Sequence, residues 1–490
     1  MLEPLLHPLS EFLSGFWPLV VGTLSTLLAL ATSLNAVLHK RDERATIGWV
    51  GLIWLVPILG PVLYVLLGVN RIERRATELR RDWPRLHPIT TVADPAPGSE
   101  ISLPELDRRM TTLVRVVNRV SNLPLTAGNR VTPLCNGDEA FPAMLAAIDA
   151  ASTSLALSTY IFDNDPAGHR FVQALGAARR RGVQVRVLVD GIGARYSWPP
   201  IHHRLQQQGV PCAYFLNSLW PWRMPYMNLR THRKILVADG RIGFTGGMNI
   251  RQGNVLRAQP EQPIKDLHFR LEGPVVAHMM ATFAEDWAFT TRELLEGEDW
   301  FPPLQAAGPV VARGIAAGPD ADFEKLRWTM LGALNQARDS VRILTPYFLP
   351  DQTLVTALRL AAMRGVTVDI LLPERNNLPL VQWACDAGLW QVLAYGCQVF
   401  LTPPPFDHAK AMLVDDSWAF VGSANWDPRS LRLNFEFNVE CYDTRLVSEL
   451  NAVIDARLRQ ARPLPLAEVD ARPLAVKLRD GVARLFSPYL

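Results

Sequence analysis

Histidine and lysine recur at the same spacing at two places in the chain. The runs are H-R-K-I-L-V-A-D from position 232 and H-A-K-A-M-L-V-D from position 408, and both fit the pattern H-x-K-x-x-x-x-D. The chain has 10 histidines among 490 residues, so chance predicts far fewer than one such run. The candidate catalytic residues are His232, Lys234, Asp239, His408, Lys410 and Asp415.

These residue types suit the transfer of a phosphate-containing group. Alternate residues of an extended strand share a face, so each histidine and its lysine can point into one cleft. If two halves of the chain pack face to face, the two ammonium groups surround one phosphodiester and stabilise charge on its phosphorus. One imidazole then attacks phosphorus while the other protonates the departing oxygen. A carboxylate must hold the second nitrogen of the nucleophile, and Glu436 and Asp266 are the candidates.

The aspartates of the two motifs are expected to have a structural role. Asp239 and Asp415 lie too far along an extended strand to hold their own histidines, so bracing of a strand end is favoured. No Gly-rich phosphate loop, dinucleotide fingerprint or metal-ligand cluster accompanies the motifs. Phosphate handling is therefore expected to need no metal and no other cofactor.

Each motif closes a segment of similar design, which predicts a duplicated fold. Residues 154–162 and 183–190 are apolar runs joined by an Ala-rich stretch, and residues 340–348 and 366–373 repeat the plan. Strand, helix and strand in this order indicate parallel strands in a βαβ unit. We expect two α/β/α halves that share one site. The predicted segments are an anchor at 1–75, a linker and amphipathic segment at 76–124, a first half at 125–295, an inter-half linker at 296–319 and a second half with a C-terminal helix at 320–490.

The N-terminal region predicts a membrane anchor. Residues 16–38 and 47–69 are uncharged and long enough to cross a bilayer, so a hairpin of two spans is expected. Pro57, Gly60 and Pro61 leave a kinked or re-entrant second segment open. Five arginines between 71 and 81 outnumber three basic residues between 40 and 44, which favours a cytoplasmic catalytic body.

Composition limits the partners. The 50 Lys+Arg against 47 Asp+Glu leave a net charge of +3, which argues against nucleic acid as the main partner. The five cysteines are odd in number and widely spaced, so buried thiols are favoured over a disulfide framework.

The paired motifs with their downstream residues resemble the phospholipase D superfamily over residues 125–460. In that family Gly-Ser or Gly-Gly and then Asn follow each motif, as Gly246-Gly247 with Asn249 and Gly422-Ser423 with Asn425 do here. The resemblance implies that Asn249, Asn425 and Ser423 bind or support the phosphate, and Gly247 puts the matching first-half hydroxyl contact in doubt.

The resemblance also implies roles for the acids and histidines. The family's acid for the second-half histidine lies 28 positions onward, at Glu436, and Asp266 corresponds to it in the first half. By the same analogy His232 is the nucleophile and His408 the acid/base.

Within the superfamily, the hydrophobic hairpin, N-L-R-T-H before the first motif and G-S-A-N-W-D-P-R-S-L in the second half resemble bacterial-type cardiolipin synthases. That resemblance implies an inner-membrane enzyme that joins two phosphatidylglycerols into cardiolipin and releases glycerol. A hydrolytic phospholipase D, a transferase with another alcohol acceptor, a nuclease and a non-catalytic membrane scaffold are the alternatives, and the sequence leaves the oligomeric state open.

Two further segments have a membrane-related interpretation. Aromatic residues and prolines crowd residues 196–227, which predicts a lid over the cleft or a loop in the headgroup region. Residues 476–486 form a weakly amphipathic basic helix, for which docking on the protein is favoured over membrane binding.

Overall fold

The chain folds into two compact units, Met1–Arg75 and Ala76–Leu490. A computed structural model describes residues 3–40, 43–65, 108–216, 229–319 and 324–487. The aromatic residues between 217 and 227, and the arginines between 71 and 81, lie outside the described residues.

The N-terminal unit begins with a long apolar helix. Helix α1 spans Glu3–His39, and its part Phe16–His39 is 24 residues long with a mean hydropathy of 1.6. At 1.5 Å per residue this length covers a hydrocarbon core of about 30 Å. By length and composition, α1 is therefore a candidate membrane span.

The second hydrophobic segment is broken rather than continuous. Helix α2 spans Glu43–Leu55 and helix α3 spans Leu59–Leu63, with a turn between them. Gly60 lies where a Cβ would come within 2.4 Å of the Leu52 carbonyl oxygen, so only glycine permits this bend. Tyr64 donates a hydrogen bond of 2.9 Å to Asn35 of α1, which ties the segment to the first helix. As far as residue 65, a straight second span is wrong and the kinked alternative fits.

The second unit is built on one large mixed sheet of 16 strands and a separate sheet of 2 strands. Its first-half strands are β1 Thr126–Cys135, β2 Ser154–Thr159, β3 Gln184–Asp190, β4 Cys212–Phe215, β5 Arg230–Thr231, β6 Ile235–Ala238, β7 Ile242–Gly246, β8 Ile264–Lys265 and β9 Leu267–Glu272. Its second-half strands are β10 Val310–Ala317, β11 Ser340–Leu344, β12 Thr367–Pro373, β13 Gln398–Thr402, β14 Phe406–Asp407, β15 Ala411–Val414, β16 Trp418–Gly422, β17 Asn434–Tyr442 and β18 Arg462–Pro463.

Helices cover the sheet. In the first half they are α4 Arg108–Val120, α5 Asn136–Ala150, α6 Pro166–Arg180, α7 His202–Gln207 and α8 Val276–Thr291. In the second half they are α9 Lys325–Gln336, α10 Gln352–Met363, α11 Pro379–Asp386, α12 Trp390–Leu393, α13 Pro428–Arg432, α14 Thr444–Leu458, α15 Leu466–Asp470 and α16 Leu474–Leu485.

The strand order shows the duplication. It runs β18-β13-β12-β11-β15-β16-β17-β10-β1-β9-β7-β6-β2-β3-β4, so the order in one half mirrors the order in the other. The pairs β2 with β3 and β11 with β12 are parallel, as the βαβ reading predicted, while β6, β7 and β9 pair antiparallel. Strand β1 pairs with β10 in the middle, which joins the halves in one sheet. The predicted α/β fold of two similar halves after an apolar N-terminal helix is confirmed.

Parts of two predicted segments, the inter-half linker and the linker with its amphipathic segment, contribute to the core. The inter-half linker 296–319 contains β10, whose apolar run V-V-A-R-G-I-A-A pairs with both β1 and β17. In the predicted segment 76–124, helix α4 packs on α9, and its residues Met110, Leu113 and Val117 join the second-half core. Three prolines that suggested a linker, Pro302, Pro303 and Pro309, precede Val310, where a buried strand begins.

Candidate active site

The two histidine motifs lie in short extended links at the junction of the halves. His232 to Lys234 connect β5 to β6, and His408 to Lys410 connect β14 to β15. Strand β5 pairs in parallel with β17 of the second half, and β14 pairs in parallel with β8 of the first half. The backbone N–H of each histidine continues this pairing, to Phe435 at 2.8 Å and to Lys265 at 2.7 Å. Each half therefore places its histidine beside a strand of the other half.

The acid partners are exchanged between the halves. Nδ1 of His232 lies 3.0 Å from both carboxylate oxygens of Glu436, and Nδ1 of His408 lies 2.9 Å from Oδ2 of Asp266. The expected pairing of Glu436 with His408 and of Asp266 with His232 is wrong. The reason is the parallel pairing across the junction, which carries each histidine to the acid-bearing strand opposite. In both rings Nε2 is the nitrogen left for a substrate.

The two lysines are buried and held alike. Lys234 is 2% exposed and its Nζ donates to the carbonyl of His232 at 2.7 Å, while Lys410 is 3% exposed and donates to the carbonyl of His408. Burial lowers the pKa of Lys234 to about 7 and that of Lys410 to about 8, with Glu436 and Asp266 opposing the shift. The Glu436 and Asp266 carboxylates both act on each ammonium group, so all four groups belong to one site.

The histidines are neutral at neutral pH. Burial, opposed by Glu436, lowers the pKa of His232 to about 4. Burial and then the charges of Lys410 and Lys234 hold the pKa of His408 well below its usual value, and His232 adds to this. A neutral imidazole is the form that attacks phosphorus.

The two carboxylates differ in their support. Glu436 accepts a hydrogen bond from the Ser423 hydroxyl and another of 3.1 Å from the Asn434 amide. Although burial raises its pKa, the contact with His232, the charge of Lys234 and the hydrogen bond from Ser423 together outweigh burial, and the pKa of Glu436 lies below its usual value. Burial raises the pKa of Asp266 to about 7, against the charge of Lys410 and the Leu267 N–H. Glu436 is therefore the more firmly ionised of the two.

The Gly-Ser and Gly-Gly positions explain that difference. Ser423 contacts Glu436 and the backbone of Phe437, so its hydroxyl holds a carboxylate in place. At Gly247 a Cβ would lie 2.2 Å from Oδ1 of Asp266. The first half therefore has glycine because the shorter acid fills the space that the serine side chain takes in the second half.

Asp239 and Asp415 lie away from the site, at the far ends of β6 and β15. Asp239 accepts backbone N–H bonds from residues 152, 153 and 154, at 2.8–3.1 Å. Asp415 accepts the matching bonds from residues 338, 339 and 340, at 2.8–3.3 Å. Both have positive φ, 50° and 53°, which aspartate tolerates better than most residues. They brace strand ends and do not touch the reacting groups.

The two asparagines after the motifs are buried near the site. Oδ1 of Asn249 accepts the backbone N–H of Ile161 at 3.1 Å, which leaves its Nδ2 amide for other contacts. Asn425 is 4% exposed and hydrogen-bonds the side chain of Asp427, the residue that caps α13. The structure thus places both side chains beside the motifs, while phosphate binding by them stays a prediction.

Two tyrosines of the repeat also belong to the site. The Tyr160 ring lies 5.3 Å from the His232 ring and 5.6 Å from Nζ of Lys234, and the Tyr347 ring lies 6.3 Å from the His408 ring. Each follows the first strand of its βαβ unit, in S-T-Y-I-F and T-P-Y-F. The repeat itself was the signal that could have identified them.

Two arginines lie near Tyr160, whose ring contacts His232. Arg230 lies two residues before His232 on β5, on the same face of the extended chain, and Arg429 lies in α13 after the second motif. Burial, and then the nearby charge of Arg230, lower the pKa of Arg429, as expected when two guanidinium groups lie close together. Within the described residues, no group of three or more His, Cys, Asp or Glu side chains is arranged to hold a metal ion.

Known proteins are similar to this chain in sequence and in fold. The family model described as "Cardiolipin synthase, PLD-like domain" matches residues 144–287 and 330–458, and "Phospholipase_D-nuclease N-terminal" matches residues 26–68. Cardiolipin synthase A of Pseudomonas fluorescens is 32% identical over 97% of this chain and 99% of that protein. Cardiolipin synthase of Geobacillus kaustophilus is 29% identical over 97% of this chain and 96% of that protein.

Among solved structures, phosphatidylserine synthase of Haemophilus influenzae has a TM-score of 0.62 at 16% identity, over 78% of this chain and all of that chain, which shows a likeness of fold. Two similar halves with paired H-x-K motifs define a phospholipase D-like protein. Within that class, the chain belongs to the cardiolipin synthase family.

Proposed function

We propose that this protein is a cardiolipin synthase that transfers a phosphatidyl group between two phosphatidylglycerol molecules through a phosphohistidine. The observation that supports the proposal is the exchange of acids, because it brings both histidines, with their buried lysines, to the junction of the halves. The relatives named above are cardiolipin synthases, and their similarity to this chain extends over nearly the whole length of both proteins. This similarity supports the same reaction here.

In the first step, Nε2 of His232 attacks the phosphorus of one phosphatidylglycerol. The bond from phosphorus to the headgroup glycerol breaks, and the leaving oxygen takes a proton from Nε2 of His408. Nδ1 of the same ring takes a proton from Asp266, whose raised pKa lets it hold one. Lys234 and Lys410 stabilise the charge on the non-bridging oxygens. His232 takes the nucleophilic role because its partner Glu436 stays ionised and keeps the ring proton on Nδ1.

In the second step, a headgroup hydroxyl of another phosphatidylglycerol gives its proton to His408. Its oxygen attacks the phosphorus, and the bond from phosphorus to His232 breaks to give cardiolipin. Free glycerol is the other product.

The acceptor is itself an anion, and Arg230 and Arg429 fit that property. The Arg429 guanidinium lies close to that of Arg230, and both are near the Tyr160 ring that contacts His232, so they add positive charge near the site. We propose that they receive the phosphate of the acceptor lipid, which favours phosphatidylglycerol over water or a neutral alcohol.

The chain is associated with the membrane through its apolar N-terminal helix. We further propose that the N-terminal unit passes the membrane more than once and leaves the catalytic unit on the cytoplasmic side of the inner membrane. The arginine-rich segment after residue 70 supports this orientation. Labelling of single introduced cysteines with a membrane-impermeant reagent tests it, and labelling of the catalytic unit from the outside would contradict it.

The decisive test supplies purified protein with phosphatidylglycerol labelled in its headgroup and in its acyl chains. Cardiolipin and free glycerol in equal amounts are expected, whereas phosphatidic acid as sole product identifies a hydrolase. His232→Ala is expected to abolish turnover and the acid-labile labelled protein, while His203→Ala, at an exposed histidine of α7, leaves both unchanged. If His232→Ala still converted phosphatidylglycerol, the assignment of His232 as the nucleophile would be refuted.

A further inference from the structure

The C-terminal helix α16 is oriented against the usual rule for a surface helix. Its only acidic residue, Asp480, is fully buried and pairs with Arg472 and Arg479 at 2.8 Å each. Ala483 is buried on the same side. The opposite side is apolar, and its large side chains are between 51% and 76% exposed: Leu474, Leu478, Val482, Leu485 and Phe486. The helix thus docks on the protein through its polar side and leaves its apolar side free.

The exposed side has the pattern of a helix that lies in a membrane interface. At 3.6 residues per turn, the five apolar side chains fall within an arc of about 120°. Lys477 and Arg484, both exposed, border this arc on one side, and Arg479 borders it on the other. An apolar arc with basic residues at its borders suits burial among acyl chains with the charges at the level of the phosphates.

Helix α11, on which α16 packs, begins near the active site. Helix α16 packs along α11, and Leu378 and Leu380 at the start of α11 are exposed as well. The preceding Asn377 accepts a hydrogen bond of 2.9 Å from the hydroxyl of Tyr347, whose ring contacts His408. The start of α11 thus adds exposed apolar residues between Asn377 and the part of α11 that packs on α16.

We propose that α16 docks on the surface of an anionic lipid bilayer through this apolar arc. The border of the arc has positive charges and no carboxylate, which complements anionic headgroups. A second copy of the chain fits less well, because a two-fold contact sets the same patch against itself and brings the basic borders together. The contact holds the mouth of the cleft at the bilayer, where lipid substrates enter.

Depth measurement on the full chain tests this docking without reference to turnover. Cys135 and Cys212, the partly exposed cysteines, are replaced by serine, and Leu478→Cys is labelled with a fluorophore in vesicles that contain phosphatidylglycerol. Lipids brominated in their acyl chains are expected to quench this label strongly. The neighbouring Lys477→Cys label, at the border of the arc, is expected to be quenched less, and a Leu294→Cys label, at an exposed leucine of the first half, not at all.

Two results would overturn the proposal. If the Leu478→Cys label is quenched by aqueous iodide and not by brominated lipid, the arc faces water. If neither quencher reaches it, a protein covers the arc instead.

A double variant, Leu478→Glu with Val482→Glu, gives a second readout. Activity on phosphatidylglycerol in vesicles is expected to fall by about tenfold, while activity in detergent micelles is retained because the helix still docks through Asp480. An equal loss in both media would mean a structural role. Because quenching is read without catalysis, a failure of the docking proposal can be told apart from a failure of the cardiolipin synthase proposal.

Discussion

Replacing Glu436 by glutamine tests whether the acids are exchanged between the halves. The Glu436 carboxylate is fully buried and lies 3.0 Å from Nδ1 of His232 through both of its oxygens. An amide can present its NH2 group to the ring, which moves the ring proton to Nε2 and removes the nucleophilic lone pair. In hydrolase triads the equivalent change costs about 10⁴-fold, so we expect a loss of about 10³- to 10⁴-fold, or roughly 4–5.5 kcal/mol of transition-state stabilisation.

The assay separates attack on phosphorus from protonation of the leaving group. A phosphatidyl donor with a nitrophenolate leaving group departs without a proton, so the burst of nitrophenolate reports attack alone. Glu436→Gln should give no burst with this donor. Asp266→Asn, which acts on His408, should lose activity on phosphatidylglycerol and recover the burst.

The opposite pattern would refute the reasoning. A burst from Glu436→Gln and none from Asp266→Asn would mean that Glu436 serves the acid/base histidine. Unfolding temperatures close to that of the unchanged protein are required of both variants, because each leaves buried lysines with one carboxylate fewer.

Three further predictions concern charge, space and bracing. Because Lys234 and Lys410 lose their charge above their pKa values of about 7 and 8, kcat/KM should fall as pH rises through that range, and Lys410→Arg, which keeps its charge, should make the fall above a pH of about 8 less steep. Gly247→Ser, which restores the family's Gly-Ser pair, should reduce kcat by about 100-fold or more, since its Cβ would displace Asp266; kinetics that match the unchanged protein would contradict this. Asp239→Asn should lower the free energy of unfolding by about 1–3 kcal/mol in denaturant titration and leave kcat of the folded protein within about threefold, and a loss of kcat without a loss of stability would give Asp239 a catalytic role.

The sequence predicted the reacting groups because each of them recurs. The H-x-K pair, the trailing Asn and the βαβ unit each occur twice in the chain, and this repetition excluded a chance match. The bracing role of Asp239 was predictable from distance alone, since an extended strand carries it away from His232.

The partnership of acids and histidines could not be predicted in this way. Counting 28 positions from His408 to Glu436 assumes that each half closes on itself, whereas β5 and β14, two residues each, cross to the opposite half. Strands this short have no hydrophobic pattern of their own. The role of Ser423 was missed for a similar reason, because its contact is with Glu436, which only the fold brings to it.

Strand β10 was not predicted because the residues before it have the composition of a linker. The residues before Val310 have the prolines and glycines of a linker, and an apolar run of eight residues is consistent with either a strand or a helix. Its place beside β1 depends on contacts between parts of the chain that are far apart in sequence.

Because each acid serves the histidine of the other repeat, a mutation in one repeat affects the function of both. A single copy of either half contains one histidine and one acid that belong to different histidine–acid pairs. It therefore lacks a complete pair. After the ancestral duplication, neither copy was free to diverge alone, because a change at Glu436 is felt at His232 and a change at Asp266 is felt at His408. In related chains, a substitution of His232 is therefore expected to accompany one of Glu436, and a substitution of His408 to accompany one of Asp266.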